Sequence, residues 1–326
     1  MMMRHFAASL PATLTLLLCA CGGGGTTGSV QSIPAAPITP PTASTPPAPI
    51  TPPPLPNGPL GLSAGPFVTQ AANWDGISGE WPKQTTERLL SGPDLVSISY
   101  SAADNSYTLT LPDFGTGTLR PVNGSGIFNA GSTTWSKLNA VNYALVQPNG
   151  IAAPVTVAMD YAPDSGFTYT STGFWSDGLQ GNPKRAGVFA YGQATTDSAM
   201  PVSGTASFGG EVRAYTRTFN DVWGTVDLSF DFGAGTLSGK MVLDTSDGWD
   251  PLPLGTFPFQ NTVYSKGSTS FSGAIAAPNA ETLGSFSGQF TGPGAPELLG
   301  NFRTPAFNPL LKSWDEIAGV FVGKRK

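Results

Sequence analysis

The stretch VDLSFDFGAGTLSG, residues 226–239, decides the fold class of this chain. Apolar side chains occupy every second position from Val226 to Phe232, and polar side chains occupy the positions between them. Successive side chains of a strand point to opposite faces, so this alternation predicts a strand with one apolar face. Glycines then allow a tight turn, after which residues 237–243 predict the returning strand.

Short segments of the same kind recur through the C-terminal part of the chain. Further strands are predicted at residues 205–215, 268–276, 285–290 and 319–323. Many short strands in series, with glycine-rich turns between them, favour a closed antiparallel barrel because closure leaves no unpaired sheet edge. The sequence therefore predicts an all-β fold.

The preceding part of the chain predicts a second β domain. Two strand pairs are indicated, at residues 97–100 with 107–111 and at residues 155–161 with 167–172. Only residues 85–90 and 310–317 carry a briefly helical pattern. We therefore expect very little helix in the chain.

The N-terminus predicts an export signal. Arg4 precedes an apolar run that ends at Leu18 and is too short to span a bilayer comfortably. The run Leu18-Cys19-Ala20-Cys21 resembles the lipobox of bacterial lipoproteins, which implies cleavage before Cys21 and a lipid on that cysteine. A cut before Cys19 is the rival, but it leaves a leucine where a small residue is normal. An ordinary signal peptide with an incidental cysteine is the other alternative.

Residues 21–66 predict a lipidated, disordered linker that follows signal peptide 1–20. Proline and small residues dominate residues 32–66, and the hexapeptide APITPP at residues 36–41 recurs at residues 48–53. Such a segment cannot bury a core and favours extended polyproline II. At about 3.1 Å per residue, it could hold a domain up to about 100 Å from the lipid.

Composition excludes several kinds of chemistry. The one histidine, His5, and both cysteines, Cys19 and Cys21, lie in the signal region. The mature chain would therefore lack Ser-His-Asp and Cys-His nucleophilic systems and Cys/His zinc sites. We expect no enzyme activity and no cofactor.

The charge balance excludes another class of partner. Loss of residues 1–20 would remove Arg4 alone among charged residues, so the 16 basic residues become 15 against 21 acidic ones. The only basic run is Lys324-Arg325-Lys326, which a solvated C-terminus explains. A mildly acidic chain without a basic cluster is not expected to bind nucleic acid.

Several motifs resemble the transferrin-binding-protein-like surface lipoproteins, in which a β-rich handle is joined to a barrel. YTSTGFW at residues 169–175 resembles the handle strand of that family, and residues 189–210 resemble the entry into its barrel. The most specific match is GQFTGPGAPELLGNF at residues 288–302, closed by GVFVGK at residues 319–324. Thr291 and Leu299 depart from the family pattern. The resemblance covers residues 90–326.

The resemblance implies a fold, a location and a function. It implies an N-terminal handle β-sheet domain at residues 67–196, followed by an eight-stranded antiparallel barrel at residues 197–326. It also implies a lipid-anchored outer-membrane protein, at the cell surface, that binds its ligand without covalent chemistry. The ligand would be a host or environmental protein, or a haem- or metal-bearing solute, passed to an outer-membrane receptor. A structural or adhesive envelope lipoprotein without a transported ligand is the alternative.

One segment supplies the candidate ligand-binding residues. Residues 244–266 hold Trp249, Phe257 and Phe259 among prolines, which predicts an exposed apolar loop. The loop is either a ligand-binding surface or a cap over the barrel mouth. Glu297 has a different expected role: a partly buried carboxylate that accepts backbone hydrogen bonds at the end of the barrel.

Overall fold

The computed structural model describes residues 65–80, 82–101, 103, 106–111, 114–119, 139–146, 152–159, 166–177 and 184–326. The predicted signal peptide, Cys21 and the proline-rich linker lie outside these residues. The described chain is all-β and forms three layers, which are two open sheets and a closed barrel. No helix among these residues is long and apolar enough to cross a membrane.

The first layer is an antiparallel sheet of four strands in the order β1-β4-β5-β6. Its strands are β1 Gly65–Pro66, β4 Ser97–Ser101, β5 Ser106–Leu111 and β6 Gly115–Leu119. The hairpin predicted at residues 97–111 is confirmed as the β4–β5 pair, in which Tyr100 lies opposite Tyr107.

The second layer is an antiparallel sheet of six strands in the order β3-β2-β10-β9-β8-β7. Its strands are β2 Val68–Asp75, β3 Arg88–Pro93, β7 Asn139–Val146, β8 Ala152–Met159, β9 Thr170–Asp177 and β10 Arg185–Gly192. The strand pair predicted at residues 155–172 is confirmed as β8–β9, in which Val157 lies opposite Trp175.

The third layer is a closed antiparallel barrel of eight strands in sequence order. Its strands are β11 Thr205–Thr216, β12 Asp221–Asp231, β13 Thr236–Ser246, β14 Pro251–Val263, β15 Ser270–Ala276, β16 Leu283–Thr291, β17 Glu297–Asn308 and β18 Ser313–Arg325. Strand β18 pairs with β11 and closes the barrel, with Gly210 opposite Gly323. The predicted fold of N-terminal β-sheet and eight-stranded barrel is confirmed.

Aromatic side chains fill the barrel interior. Every second residue of each strand points inward, and the inward positions bring together Phe208, Phe230, Phe257, Phe271, Phe286, Phe290, Phe302 and Phe321. The ring of Phe230 meets those of Phe290 and Phe271 edge-on at centroid distances of 4.8 and 5.2 Å. Edge-to-face contacts of this kind stabilise the core in addition to the stabilisation that comes from burying large apolar rings.

One inward glycine makes room for an aromatic ring. Gly300 lies opposite Phe321 in the β17–β18 ladder. A Cβ at this position would overlap the Phe321 ring and lie 2.6 Å from the carbonyl oxygen of Ser287. Only glycine allows so close an approach of the ring and the neighbouring backbone at this position.

Strands β2 and β10 of the six-stranded sheet are buried on both faces. Val188 and Ala190 of β10 point toward the barrel, and the alternate residues Phe189 and Tyr191 point toward the four-stranded sheet. The indole of Trp74 in β2 also faces the barrel and donates a hydrogen bond from Nε1 to the Thr216 carbonyl at 3.1 Å. The sheet therefore joins two separate cores.

The sequence-based expectation for residues 244–266 is wrong. Residues 244–266 are not a loop, because most of them form β14 of the barrel wall. Phe257 lies opposite Met241 and both are inward and fully buried, while prolines and Gly255 interrupt the visible alternation. A register shift between Leu243 and Asp244 accommodates this irregular strand.

The helical pattern of residues 85–90 and 310–317 is also a wrong indication, because neither segment forms a helix. Residues 88–90 belong to β3, and residues 313–317 belong to β18. Leu89 is buried opposite Trp74, and Ile317 is buried in the barrel core. Tertiary burial of these side chains overrides a weak local helix propensity.

Glu297 fixes the sheets to the barrel. Its side chain is 5% exposed. One carboxylate oxygen accepts a hydrogen bond from the Thr168 N–H at 2.7 Å, and the other accepts one from the Tyr169 N–H at 2.8 Å. Burial raises the pKa of Glu297 above its ordinary value, against the opposing effect of these hydrogen bonds. The role predicted for Glu297 as a backbone acceptor is confirmed.

Neighbouring contacts extend this junction. The hydroxyls of Thr170 in β9 and Thr291 in β16 lie 2.6 Å apart. The Gln193 N–H donates to the Tyr169 carbonyl at 3.0 Å, and the Gly292 N–H donates to the Gln193 carbonyl at 2.9 Å. Gln193, which follows β10, therefore links the residue before β9 to the β16–β17 turn, and β9 itself is bound to the end of β16.

We expect Glu297→Gln to destabilise the protein by about 1–3 kcal/mol at pH 7, because it leaves one backbone N–H without its acceptor. The raised pKa means that the folded state holds a proton that the unfolded state has lost, from pH 4.5 up to the folded pKa. The wild type therefore gains stability relative to Glu297→Gln as pH falls through that window. Urea denaturation as a function of pH measures the difference.

The exposed Glu281 provides the matched control. Glu281→Gln should leave the urea midpoint and its pH dependence unchanged. Equal stability of wild type and Glu297→Gln at pH 7, or a difference between them that is constant with pH, would contradict the assigned role.

Candidate functional site

Four connections lie together at one end of the barrel. Adjacent strands are antiparallel, so alternate connections fall at opposite ends. The β11–β12, β13–β14, β15–β16 and β17–β18 connections share one end, here called the hairpin end, at residues 217–220, 247–250, 277–282 and 309–312. Glu297 and the six-stranded sheet's attachment through the β16–β17 turn belong to the opposite end.

The hairpin end carries exposed aromatic side chains. Trp249 is 93% exposed, and Trp314, Phe307 and Trp223 are 50%, 48% and 39% exposed. Among the residues whose side-chain burial the structure describes, which leaves out strand β7 and most of β8, these four are all of the exposed aromatic side chains. Leu283, at the start of β16, adds an aliphatic side chain that is 49% exposed. Each lies in, or within three residues of, a hairpin-end connection.

A hydrogen-bonded turn holds Trp249 out from the barrel. One carboxylate oxygen of Asp247 accepts hydrogen bonds from the N–H groups of Trp249 and Asp250, at 3.0 and 2.9 Å. The Ser246 hydroxyl accepts from the Gly248 N–H at 2.8 Å, and Gly248 has the positive φ of 98° that favours glycine. An aspartate that bonds the backbone two and three residues on is a typical turn former, so the indole is presented on an ordered turn.

Phe307 and Trp314 form a pair on the outer wall. They lie opposite each other in the β17–β18 ladder, and their rings meet nearly at right angles with centroids 6.1 Å apart. Farther along β18, the outward residues Ala318, Val320 and Val322 are covered by the six-stranded sheet. The pair therefore lies on the same outer wall, beyond the covered part.

A polar network supports this end of the barrel. The Thr218 hydroxyl donates to the Asp315 carboxylate at 2.6 Å and accepts from the Asn220 amide at 2.9 Å. The same Asn220 amide reaches the Pro82 carbonyl at 3.3 Å, and the Arg217 N–H donates to the Glu316 carbonyl at 2.6 Å. The β11–β12 turn is therefore bound both to β18 and to the N-terminal part of the fold.

The sequence-predicted site residues do not come together. Trp249 lies at the hairpin end, but Phe257 is fully buried in the barrel core and Phe259 is 8% exposed, stacked on Phe286 at 4.2 Å. The two phenylalanines stabilise the interior and are not on the surface of the hairpin end. Cys21 lies outside the described residues.

Sequence reasoning missed Trp223, Phe307 and Trp314. Trp223 follows the inward Val222 in β12. Both residues are apolar, so the sequence does not show that Trp223 is the exposed one. Phe307 and Trp314 flank a short connection at residues 309–312, and that aromatic pair around a proline-containing turn is the signal that could have indicated a hairpin.

The described residues also form shallow clefts. One of about 310 Å³ is lined by Gln70, Pro93 and serine-bearing parts of β15 and β16. Another of about 290 Å³ is lined by residues that include Leu283, Arg303 and Glu316. Within the described part of the chain, no group of three or more His, Cys, Asp or Glu side chains could hold a metal ion.

Comparison with known proteins gives structural likenesses. No protein-family model matches the chain, and no curated protein matches it. The chain is similar in structure to a double mutant of transferrin binding protein B from Haemophilus parasuis, at 17% sequence identity and a TM-score of 0.43. It is also similar to isotype 1 transferrin binding protein B from serogroup B Neisseria meningitidis, at 16% identity and a TM-score of 0.42.

The similarity covers most of this chain. It covers 79% of this chain in both cases, and 45% of the Haemophilus protein and 44% of the Neisseria protein. The chain thus spans less than half the length of these two proteins. A structure described as a surface lipoprotein is similar over 71% of this chain and 97% of its own, at 16% identity and a TM-score of 0.35.

We expect the turn around Trp249 to follow the ionisation of Asp247. The hydrogen bonds from the Asp250 and Trp249 N–H groups lower the pKa of Asp247 below its ordinary value of 3.8. The stability that the Asp247 carboxylate gives to the turn is therefore present above pH 3.8, and it is lost as pH falls through the lowered pKa. In ¹H–¹⁵N spectra, the Trp249 and Asp250 amide signals should titrate together with a midpoint below 3.8.

Asp247→Asn keeps a side-chain oxygen acceptor and serves as the control. It should retain the dispersed Trp249 signal and remove its acid titration. A midpoint at or above 3.8 in the wild type, or an unchanged titration in Asp247→Asn, would show that Asp247 does not hold the turn.

Proposed function

We propose that this chain is a lipid-anchored surface protein that captures a protein ligand without covalent chemistry, and that the hairpin end of the barrel is the capture surface. The observation that carries the proposal is the set of exposed aromatic side chains at one end of the barrel. Trp249, at 93% exposure, is its most prominent member.

Exposure of this kind favours a binding role. Tryptophan is enriched among the residues that contribute most to protein interfaces, because its large rigid ring buries much apolar area with few rotatable bonds. The turn formed by Asp247 limits the backbone freedom of Trp249 before any partner arrives. Ordering that is already present in the free protein need not be lost on binding, so affinity rises.

The chemistry of the chain supports binding without catalysis. After Cys21 the sequence contains no histidine and no further cysteine. The nucleophile–base pairs that those residues form in many enzymes are therefore missing from the mature chain. Aromatic and aliphatic side chains at the hairpin end bind by contact, which matches the proposed role.

The N-terminal sequence supports the proposed location. Cys21 would carry the lipid, and the proline-rich residues 32–66 would act as a spacer of up to about 100 Å if fully extended as polyproline II. Transferrin binding proteins are among the structures to which the chain is similar. Transferrin is therefore one protein with which to test capture.

We expect Cys21→Ala to abolish metabolic labelling with radioactive palmitate and to release the protein from the membrane fraction. Cys19→Ala is the matched control and should remain labelled and membrane-bound, because cleavage before Cys21 makes Cys19 part of the removed signal. Loss of labelling in Cys19→Ala but not in Cys21→Ala would place the lipid on Cys19. If neither the wild type nor Cys19→Ala is labelled, the protein is not lipid-anchored.

We expect capture to depend on the hairpin end. Cells displaying the full chain are incubated with purified iron-loaded transferrin, haemoglobin, or whole serum, and retained proteins are quantified after washing. The double variant Trp249→Ala/Trp314→Ala should reduce retention of at least one protein by tenfold or more. Removal of two interface tryptophans commonly costs at least that much affinity.

Val202→Ala is the control for this experiment. Val202 is 53% exposed and precedes β11, at the opposite end of the barrel. Retention by Val202→Ala should equal retention by wild type, and circular dichroism should show all three proteins folded. Equal retention by the tryptophan variant, or no specific retention by the wild type, would overturn the proposed function.

A further inference from the structure

The hairpin end is acidic as well as aromatic. Eight charged residues lie in its four connections and in the three residues on either side of each connection. Six are acidic and two are basic, namely Asp221, Asp244, Asp247, Asp250, Glu281 and Asp315 against Arg217 and Lys312. An uneven charge of this size at one end of a small domain produces a directed field.

The opposite end has no acidic excess. The same count over its connections, its strand ends and the C-terminal residue gives four basic residues, Lys266, Lys324, Arg325 and Lys326. It gives three acidic residues, Asp197, Asp231 and Glu297, of which Glu297 is buried against backbone N–H groups. The large acidic excess therefore lies at the end of the barrel that carries the exposed aromatic side chains.

Carboxylates lie closest to the most exposed aromatic residue. Asp247 and Asp250 are in the same four-residue connection as Trp249. Asp244 lies opposite Trp223 in the β12–β13 ladder, so a carboxylate also neighbours the second tryptophan. On the far side of Trp223 lies Arg213, which forms an ion pair with Glu211 at 3.9 Å.

We infer that the hairpin end recognises a basic protein surface, one that presents arginine or lysine side chains together with apolar ones. This inference rests on the proposed function, because it names the chemistry of the partner at the same surface. A cation over the indole face of Trp249 gains from the electrostatic attraction of the ring. The carboxylates of Asp247 and Asp250 would pair with the same cation or with its neighbours.

Charge complementarity favours a protein partner over a lipid surface. Exposed tryptophans also occur where proteins meet membranes. An anionic bilayer, however, would be repelled by the excess of carboxylates at this end, as like charges are. A basic protein is attracted by the same field, which raises its association rate at low salt.

The test uses purified full-length protein and three 12-residue peptides without tryptophan. They alternate leucine with arginine, with glutamine or with glutamate, and binding is followed by the change in tryptophan fluorescence at low salt. The arginine peptide should bind at least tenfold more tightly than the glutamine peptide. The glutamate peptide should bind more weakly still, and added salt should weaken the arginine peptide most.

Two matched charge variants locate the effect. Asp250→Asn removes one charge beside Trp249 and leaves the Asp247 oxygen that accepts the turn's hydrogen bonds. It should weaken the arginine peptide at least threefold. Asp197→Asn removes one exposed charge in the segment before β11, at the opposite end, and should leave binding unchanged. Trp249→Ala should weaken binding further than Trp249→Phe, which keeps an aromatic ring.

The outcomes separate this inference from the proposed function. Equal binding of all three peptides, or equal effects of Asp250→Asn and Asp197→Asn, would overturn the inference. If protein capture still depended on Trp249 and Trp314, the proposed function would stand without it. Tighter binding to anionic phosphatidylglycerol vesicles than to the arginine peptide would also overturn it, in favour of a membrane surface.

Discussion

The outer wall of the barrel is apolar where β17 and β18 carry Leu299, Val320 and Val322, and the fold depends on keeping water from that wall. The six-stranded sheet does so, because alternate residues of β2 and β10 face the wall while their neighbours face the four-stranded sheet. Burial of apolar area on both faces makes this sheet a shared layer of two cores. At the hairpin end, the sheet side holds the β11–β12 turn, and the turn around Trp249 and the Phe307–Trp314 pair remain exposed.

Polar contacts determine how the layers fit together. Burial of a carboxylate is costly unless hydrogen bonds compensate it, and Glu297 has two backbone N–H donors. The amide of Asn301, on the outer wall, reaches both Gln70 of β2 and the hydroxyl of Ser287. Apolar packing alone tolerates sliding, whereas these directional contacts select one register between sheet and barrel. The position of the hairpin end follows from that register.

Alternation predicted most of the barrel, because inward and outward residues differ clearly in β12 and β13. It failed for β14, where prolines occupy outward positions and the register shifts. Trp249 could be predicted as exposed because its turn residues are characteristic. Phe257 was misplaced with it, and Trp314 was missed, because exposure there depends on where the barrel closes and where the six-stranded sheet stops. Those are properties of the assembled layers, and no local pattern of residues carries them.

Strand β18 has three neighbours, since it pairs with β17 and β11 and its outward side chains meet the six-stranded sheet. Neither the closed barrel nor its contact with the sheet can be complete until β18 has been made. Pairing of β11 with β18 also joins residues about a hundred positions apart, and such non-local contacts form slowly. Closure of the barrel therefore waits for β18, whatever the order in which the other strands pair.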